Sequence, residues 1–150
     1  MKTEKSLRAR ALDILSRQEI SRFDLKHKLA RYSESEEEID QVLNEFADRH
    51  WQSDERYAES YIHSKSARHG SLRLKQALAV KGIDEAVIRE FLPDKSDELA
   101  SALAVLHKKF KQPAADLQEK QKQMRFLAYR GFDMDIINQA LKNNWFDETL

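Results

Sequence analysis

Lys81–Gly82–Ile83–Asp84 and, 49 residues later, Arg130–Gly131–Phe132–Asp133 repeat one set of roles in one order. In each, Gly supplies the left-handed backbone that closes a helix, and Asp two residues on caps the next. The same offset recurs along the chain. Leu29, Leu78 and Leu127 align, as do Ile39, Ile88 and Ile137, and Leu43, Leu92 and Leu141. Leu12, Tyr61 and Phe110 form another apolar column, and Ser35, Asp84 and Asp133 a column of helix caps. In each copy the Ile and Leu lie four apart, on one face of a helix that begins just after its cap. The spacing predicts three tandem copies of a three-helix unit, at 4–50, 53–94 and 96–146.

Other caps and breaks fill in that scheme. Ser21 and Ser35 are each followed three residues later by an acid, Asp24 and Glu38, as in a capping box. Gly70–Ser71 separates two helices of the second copy, and Pro93 and Pro113 mark further breaks. Ser96 is expected to cap the first helix of the third copy, with Asp97 and Glu98 favourable at its positive end. Apolar stripes run along the opening helices: Leu7, Ala11, Ile14 and Leu15; Tyr57 and Tyr61; Leu99, Leu103, Leu106 and Phe110. A three-helix unit buries only a small core alone, so neighbouring units should stack into an elongated, curved all-α array. Trp51 and Trp145 follow third helices and are expected to pack into junctions.

Composition agrees. Of 150 residues, 41% are hydrophobic and 35% charged, with only 3 Gly and 2 Pro, too few for a turn-rich sheet fold. Cys is absent, which removes disulfides, thiolate metal sites and cysteine nucleophiles and fits a reducing cytoplasm. Residues 1–10 hold no apolar run of a signal peptide, and no stretch is apolar enough to span a bilayer. Neither a cofactor nor a metal is expected. The five His (His27, His50, His63, His69, His107) lack metal-ligand spacing, and there is no phosphate loop or nucleophile elbow. The expectation is a monomer that is not an enzyme.

Charge is where function shows. The 26 basic and 26 acidic residues cancel, but unevenly along the chain. Residues 34–48 hold seven acids and no Lys or Arg, whereas 63–83 hold Lys65, Arg68, Arg73, Lys75 and Lys81 and no acid until Asp84. Residues 105–130 add Lys108, Lys109, Lys111, Lys120, Lys122, Arg125 and Arg130 against only Asp116 and Glu119. These twelve cations are the candidate binding residues, for nucleic-acid phosphates or a patterned protein partner. Helices joined at Gly82 and Gly131 have helix-turn-helix geometry. The helices that follow carry Asp84, Glu85 and Glu90, or Asp133 and Asp135, which repel phosphates, so duplex readout is not expected.

Several stretches together resemble the bacterial RecX family. They are Ala11–Leu12–Asp13–Ile14–Leu15–Ser16–Arg17 with Ser21–Arg22–Phe23–Asp24–Leu25, Trp51–Gln52–Ser53–Asp54–Glu55–Arg56–Tyr57–Ala58 with Tyr61–Ile62–His63–Ser64–Lys65, Arg73–Leu74–Lys75–Gln76–Ala77–Leu78, and Lys120 through Phe132. The resemblance covers almost the whole chain. It departs at Ala67–Arg68–His69–Gly70–Ser71–Leu72–Arg73, where the family's central turn usually has a second glycine and a proline. The resemblance implies a regulator of the RecA recombinase in recombination, DNA repair and the SOS response. It implies binding in the groove of the RecA filament on single-stranded DNA, with suppressed ATP turnover, strand exchange and filament growth. Two other readings stand beside it: a stand-alone helical nucleic-acid-binding module and a helical scaffold for an unrelated protein.

Overall fold

A computed structural model describes residues 5–142. The described residues form nine helices and no strand: α1 (Leu7–Leu15), α2 (Arg22–Leu29), α3 (Glu36–Asp48), α4 (Asp54–Lys65), α5 (Ser71–Val80), α6 (Glu85–Phe91), α7 (Lys95–Lys109), α8 (Leu117–Tyr129) and α9 (Met134–Lys142). Trp145 lies outside the described residues. The chain divides into two compact units, Met1–Ser60 with Leu78–Glu90, and Tyr61–Ala77 with Phe91–Leu150.

Two of the repeated columns are buried throughout, whereas Leu92, Leu141, Leu12, Tyr61 and Phe110 are only partly buried. Leu29, Leu78 and Leu127 are each 0% exposed, and Ile39, Ile88 and Ile137 are buried beside them. In the first unit α1, α2 and α3 pack around Leu7, Ala11, Leu25, Leu29, Leu43 and Phe46. In the second, α7, α8 and α9 close on Ala102, Leu106, Leu127, Phe132, Ile136 and Ala140. Helices this short are marginal alone, and the burial of these stripes holds them.

Most caps fall as expected. Ser21 Oγ accepts from the Asp24 N–H at 3.1 Å and Ser35 Oγ from the Glu38 N–H at 3.2 Å. The return half of the capping box is made otherwise. Ser33 Oγ accepts from the Ser35 N–H, and the Glu38 carboxylate takes the Ser33 hydroxyl instead. Gly82 (φ 73°) and Gly131 (φ 95°) both occupy the left-handed region, and Asp133 accepts from the Ile136 N–H at 2.9 Å.

One expectation about α7 is corrected and another is extended. Its cap is Asp94, whose carboxylate accepts from the Asp97 N–H at 2.8 Å, and Ser96 lies inside the helix. The expected stripe does face the core, with Leu106 buried and Leu99, Leu103 and Phe110 partly buried against it, but the fully buried line also takes in Glu98 and Ala102. An acid thus faces inward, four and eight residues before Ala102 and Leu106 on one helix face.

Candidate functional site

That inward acid organises the candidate site, which lies on the second unit. Glu98 is 5% exposed. Its Oε1 accepts from the Ser71 N–H at 2.8 Å and its Oε2 from the Ser71 hydroxyl at 2.7 Å. The neighbouring amides at the start of α5 are taken as well. Gly70 donates to the Arg130 carbonyl at 2.8 Å and Leu72 to the Gly131 carbonyl at 3.0 Å. The free donors of a helix N-terminus attract phosphates; here those of Gly70, Ser71 and Leu72 are occupied from within the protein. An anion drawn to this turn therefore relies mainly on side chains.

Those side chains are the predicted cations. Gly70 and Gly131 lie in contact, which brings the turn before α5 onto the turn after α8. Lys65 at the end of α4, Arg68 in the turn, Arg73 early in α5 and Arg130 after α8 all act on His69 through their charges. Burial, reinforced by the charges of Arg73, Lys65, Arg68 and Arg130, holds the His69 imidazole below the ordinary histidine pKa. Its Nδ1 is buried without a hydrogen-bond partner.

A pH dependence follows with a definite sign. Because the folded pKa is lowered, His69 contributes stability that is present above its ordinary value of about 6.5 and is lost as pH falls below it. A bound polyanion offsets the four cations and should raise the pKa of His69. The check is an NMR titration of the His69 ring with and without a saturating oligonucleotide. An unchanged pKa would place the polyanion elsewhere.

The other candidate cations are distributed as follows. Lys111 and Lys122 line one concavity with Phe110, Gln112, Pro113, Glu119 and Gln123. Lys120 lines another, with Pro113, Asp116, Leu117, Gln123 and Leu141. Lys108 and Lys109 are exposed in the last turn of α7, where they suit the negative end of the helix. Arg125 is exposed on α8. Lys75 is two residues from Arg73 on α5 and so projects from the opposite side. Lys81 belongs to the first unit, where its ammonium meets the Asp24 carboxylate at 2.9 Å.

Pairing separates the two units. In the first, Arg8 and Arg49 meet Glu45, Lys26 meets Glu36 and Asp40, and Arg56 meets Glu19. Among the described residues of the second unit no Lys or Arg is paired with a carboxylate. The sequence of the second unit holds 13 basic against 9 acidic residues, and the first 13 against 17. Among the described residues, the Lys and Arg cations of the second unit are thus left without an ion-pair partner.

Sequence reasoning missed two members of this site. Glu98 was read only as a dipole partner, though its i, i+4, i+8 register with Ala102 and Leu106 is visible in the sequence. Tyr129 carries no charge, so the charge pattern does not single it out. It is 79% exposed, and the Arg73 guanidinium lies 5.7 Å from its ring centre. No cluster of metal-ligating residues occurs among the described residues, and no helix of the structure is long and apolar enough to cross a membrane.

These features define a class: a protein of three-helix domains carrying an unneutralised basic cluster. The chain belongs to the RecX family. Residues 53–92 match the family model described as RecX, second three-helix domain, and residues 96–141 match RecX, third three-helix domain. The Regulatory protein RecX of Neisseria meningitidis serogroup B is 69% identical over 147 residues, covering 98% of this chain and 96% of that one. The Regulatory protein RecX of Chromobacterium violaceum is 44% identical, covering 96% of this chain and 94% of its own. A crystal structure of RecX from Lactobacillus salivarius shares the fold at a TM-score of 0.81, with 24% identity over 91% of this chain and 92% of that one.

Proposed function

We propose that this chain is a cytoplasmic, non-catalytic regulator of a RecA-type recombinase, acting as a monomer on its filament on single-stranded DNA in recombination and DNA repair. The observation that carries this reading is the positive cluster of Lys65, Arg68, Arg73 and Arg130, which has no carboxylate partner among the described residues. Membership of the RecX family and the name shared by the relatives supply the recombinase. Three tandem repeats, at 4–50, 53–94 and 96–146, would lie along the filament groove and touch more than one subunit. The cations would meet recombinase acids or the phosphates of its DNA, with Lys75, Lys108, Lys109, Lys111, Lys120, Lys122 and Arg125 extending the surface. Such binding shifts the filament between active and inactive states only if its affinity for the two differs.

The test is ATP turnover by a RecA recombinase on single-stranded DNA with this protein titrated in. Inhibition is expected well below one molecule per recombinase subunit. Arg68→Glu with Arg73→Glu in one chain should raise the concentration needed by about tenfold or more, since each reversal places a negative charge where a positive one met an anion. Inhibition that begins only when the protein is abundant enough to coat the DNA would favour the stand-alone nucleic-acid-binding module. Full inhibition by the folded double variant would remove the cluster from the mechanism.

A further inference from the structure

Exposed aromatic rings on a helical protein usually lack a reason, but Tyr129 stands in a specific setting. It ends α8 and lines a groove with Leu72, Arg73, Gln76, Ala128 and Gly131. Leu72 is 53% exposed on the facing side of that groove. Arg73 lies over the ring of Tyr129 and limits its freedom at one face. Along α8, Lys122, Arg125 and Tyr129 follow i, i+3, i+7 and share one helix face, over about 10 Å of axis. Beyond Tyr129 the row continues into Arg73, with Arg68 and Arg130 close to His69. The acids of this helix, Asp116 and Glu119, are occupied at its start, accepting from the Glu119 and Ala115 N–H groups. The face therefore offers a row of cations interrupted by one open ring.

We propose that this face is a binding track for single-stranded nucleic acid, in which one base stacks on Tyr129 while Lys122 and Arg125 on one side and Arg73 and Arg130 on the other hold the flanking phosphates. A row of cations alone would suit any polyanion. The ring is what selects a single strand, because an unpaired base has a free π face and a base within a duplex does not. An acidic protein segment would satisfy the cations and leave the ring and Leu72 facing water. Tyr129 is thus the point at which the regulator would read the filament's own strand. That role rests on the regulatory reading, but strand binding is measurable with no recombinase present, so the two fail separately.

The experiment is fluorescence anisotropy of a labelled deoxythymidine strand of about 20 nucleotides, long enough for a binding track, at several salt concentrations. Tyr129→Ala should weaken binding by about tenfold, the loss of one stacked base. Tyr129→Phe keeps the ring and should stay within about twofold. Tyr129→Ala should leave the salt slope unchanged, whereas Arg73→Ala and Arg125→Ala should each make it shallower by about 0.7, one phosphate contact apiece. On a phosphodiester strand of equal length that lacks bases throughout, wild type and Tyr129→Ala should bind alike. Binding of Tyr129→Ala equal to wild type, or an equal loss on the baseless strand, overturns the assignment. A variant that keeps strand binding but no longer inhibits the recombinase overturns it too. It would show the ring docking on protein and leave the regulatory reading standing.

Discussion

Gly131→Ala is expected to lower the melting temperature by about 10 °C, and Gly82→Ala, in the same place in the repeat, by only a few degrees. Both glycines have positive φ, at 95° and 73°, so either Ala bears the left-handed strain of about 1–2 kcal/mol. Their surroundings differ. The three atoms nearest a Cβ on Gly82 all belong to the half-exposed Phe23 side chain, at 3.0–3.3 Å, which needs to give by only a few tenths of an ångström. A Cβ on Gly131 overlaps the Cβ of Arg73 and crowds its backbone N and Cα at 2.8 and 3.0 Å. Backbone cannot step aside in that way. Relief requires α5 to withdraw, which breaks the bonds from Gly70 and Leu72 to Arg130 and Gly131. Strain and two lost backbone bonds together reach about 3–5 kcal/mol, a large part of the stability of an ordinary domain. Thermal unfolding followed by circular dichroism compares the two variants directly. Equal shifts would mean that the contact of the two turns is not a tight one.

The second large effect is expected at Glu98. Glu98→Ala removes the acceptor for a backbone N–H and a hydroxyl at a site almost closed to water, and should cost about 3 kcal/mol. Glu98→Gln keeps one acceptor oxygen, and the Ser71 hydroxyl can turn to accept from the new amide, so about half of the loss should return. Urea unfolding midpoints give the magnitudes. Amide hydrogen exchange at Ser71 locates them, because in Glu98→Ala that N–H should exchange far faster than in wild type. Slow exchange at Ser71 in Glu98→Ala would show another acceptor taking over.

The sequence carried the fold through residues whose effects are local. Gly82 and Gly131 turn as read, Ser21 and Ser35 cap as read, and the columns at Leu29, Leu78 and Leu127 lie in the core. Each of these acts within about one helical turn, so composition and spacing suffice. Ser96 misled because Asp94, two residues earlier, is an equally good cap, and nothing local decides between them. Gly70 was read as a mere separator. Its requirement comes from Gly131, sixty-one positions away in the chain, and only packing reveals it. The candidate site divides in the same way. Its cations were legible as a run without acids. Which of them stay unpaired was not, since Lys81 and Lys75 look alike in sequence and only Lys81 meets a carboxylate. Tyr129 needed the structure because exposure of a ring, and not its presence, makes it a binding surface.

The starts of the three middle helices close in different ways, and this bears on the order in which a chain can become ordered as it is made. Arg22, at the start of α2, donates its N–H to Asp54, which has yet to be joined when α2 is synthesised. At α5, Ser71 needs Glu98, and Gly70 and Leu72 need Arg130 and Gly131. At α8 the acceptors are its own: Asp116 takes the Glu119 N–H and Glu119 takes that of Ala115. At about 5–20 residues per second, the first turn of α5 waits some ~3–12 seconds on the ribosome for its last acceptor. During that time its amides are open to water, chaperones or a neighbouring chain, while α8 can be complete on arrival. The cation cluster, which depends on the same contacts, is therefore among the last features of the molecule to exist.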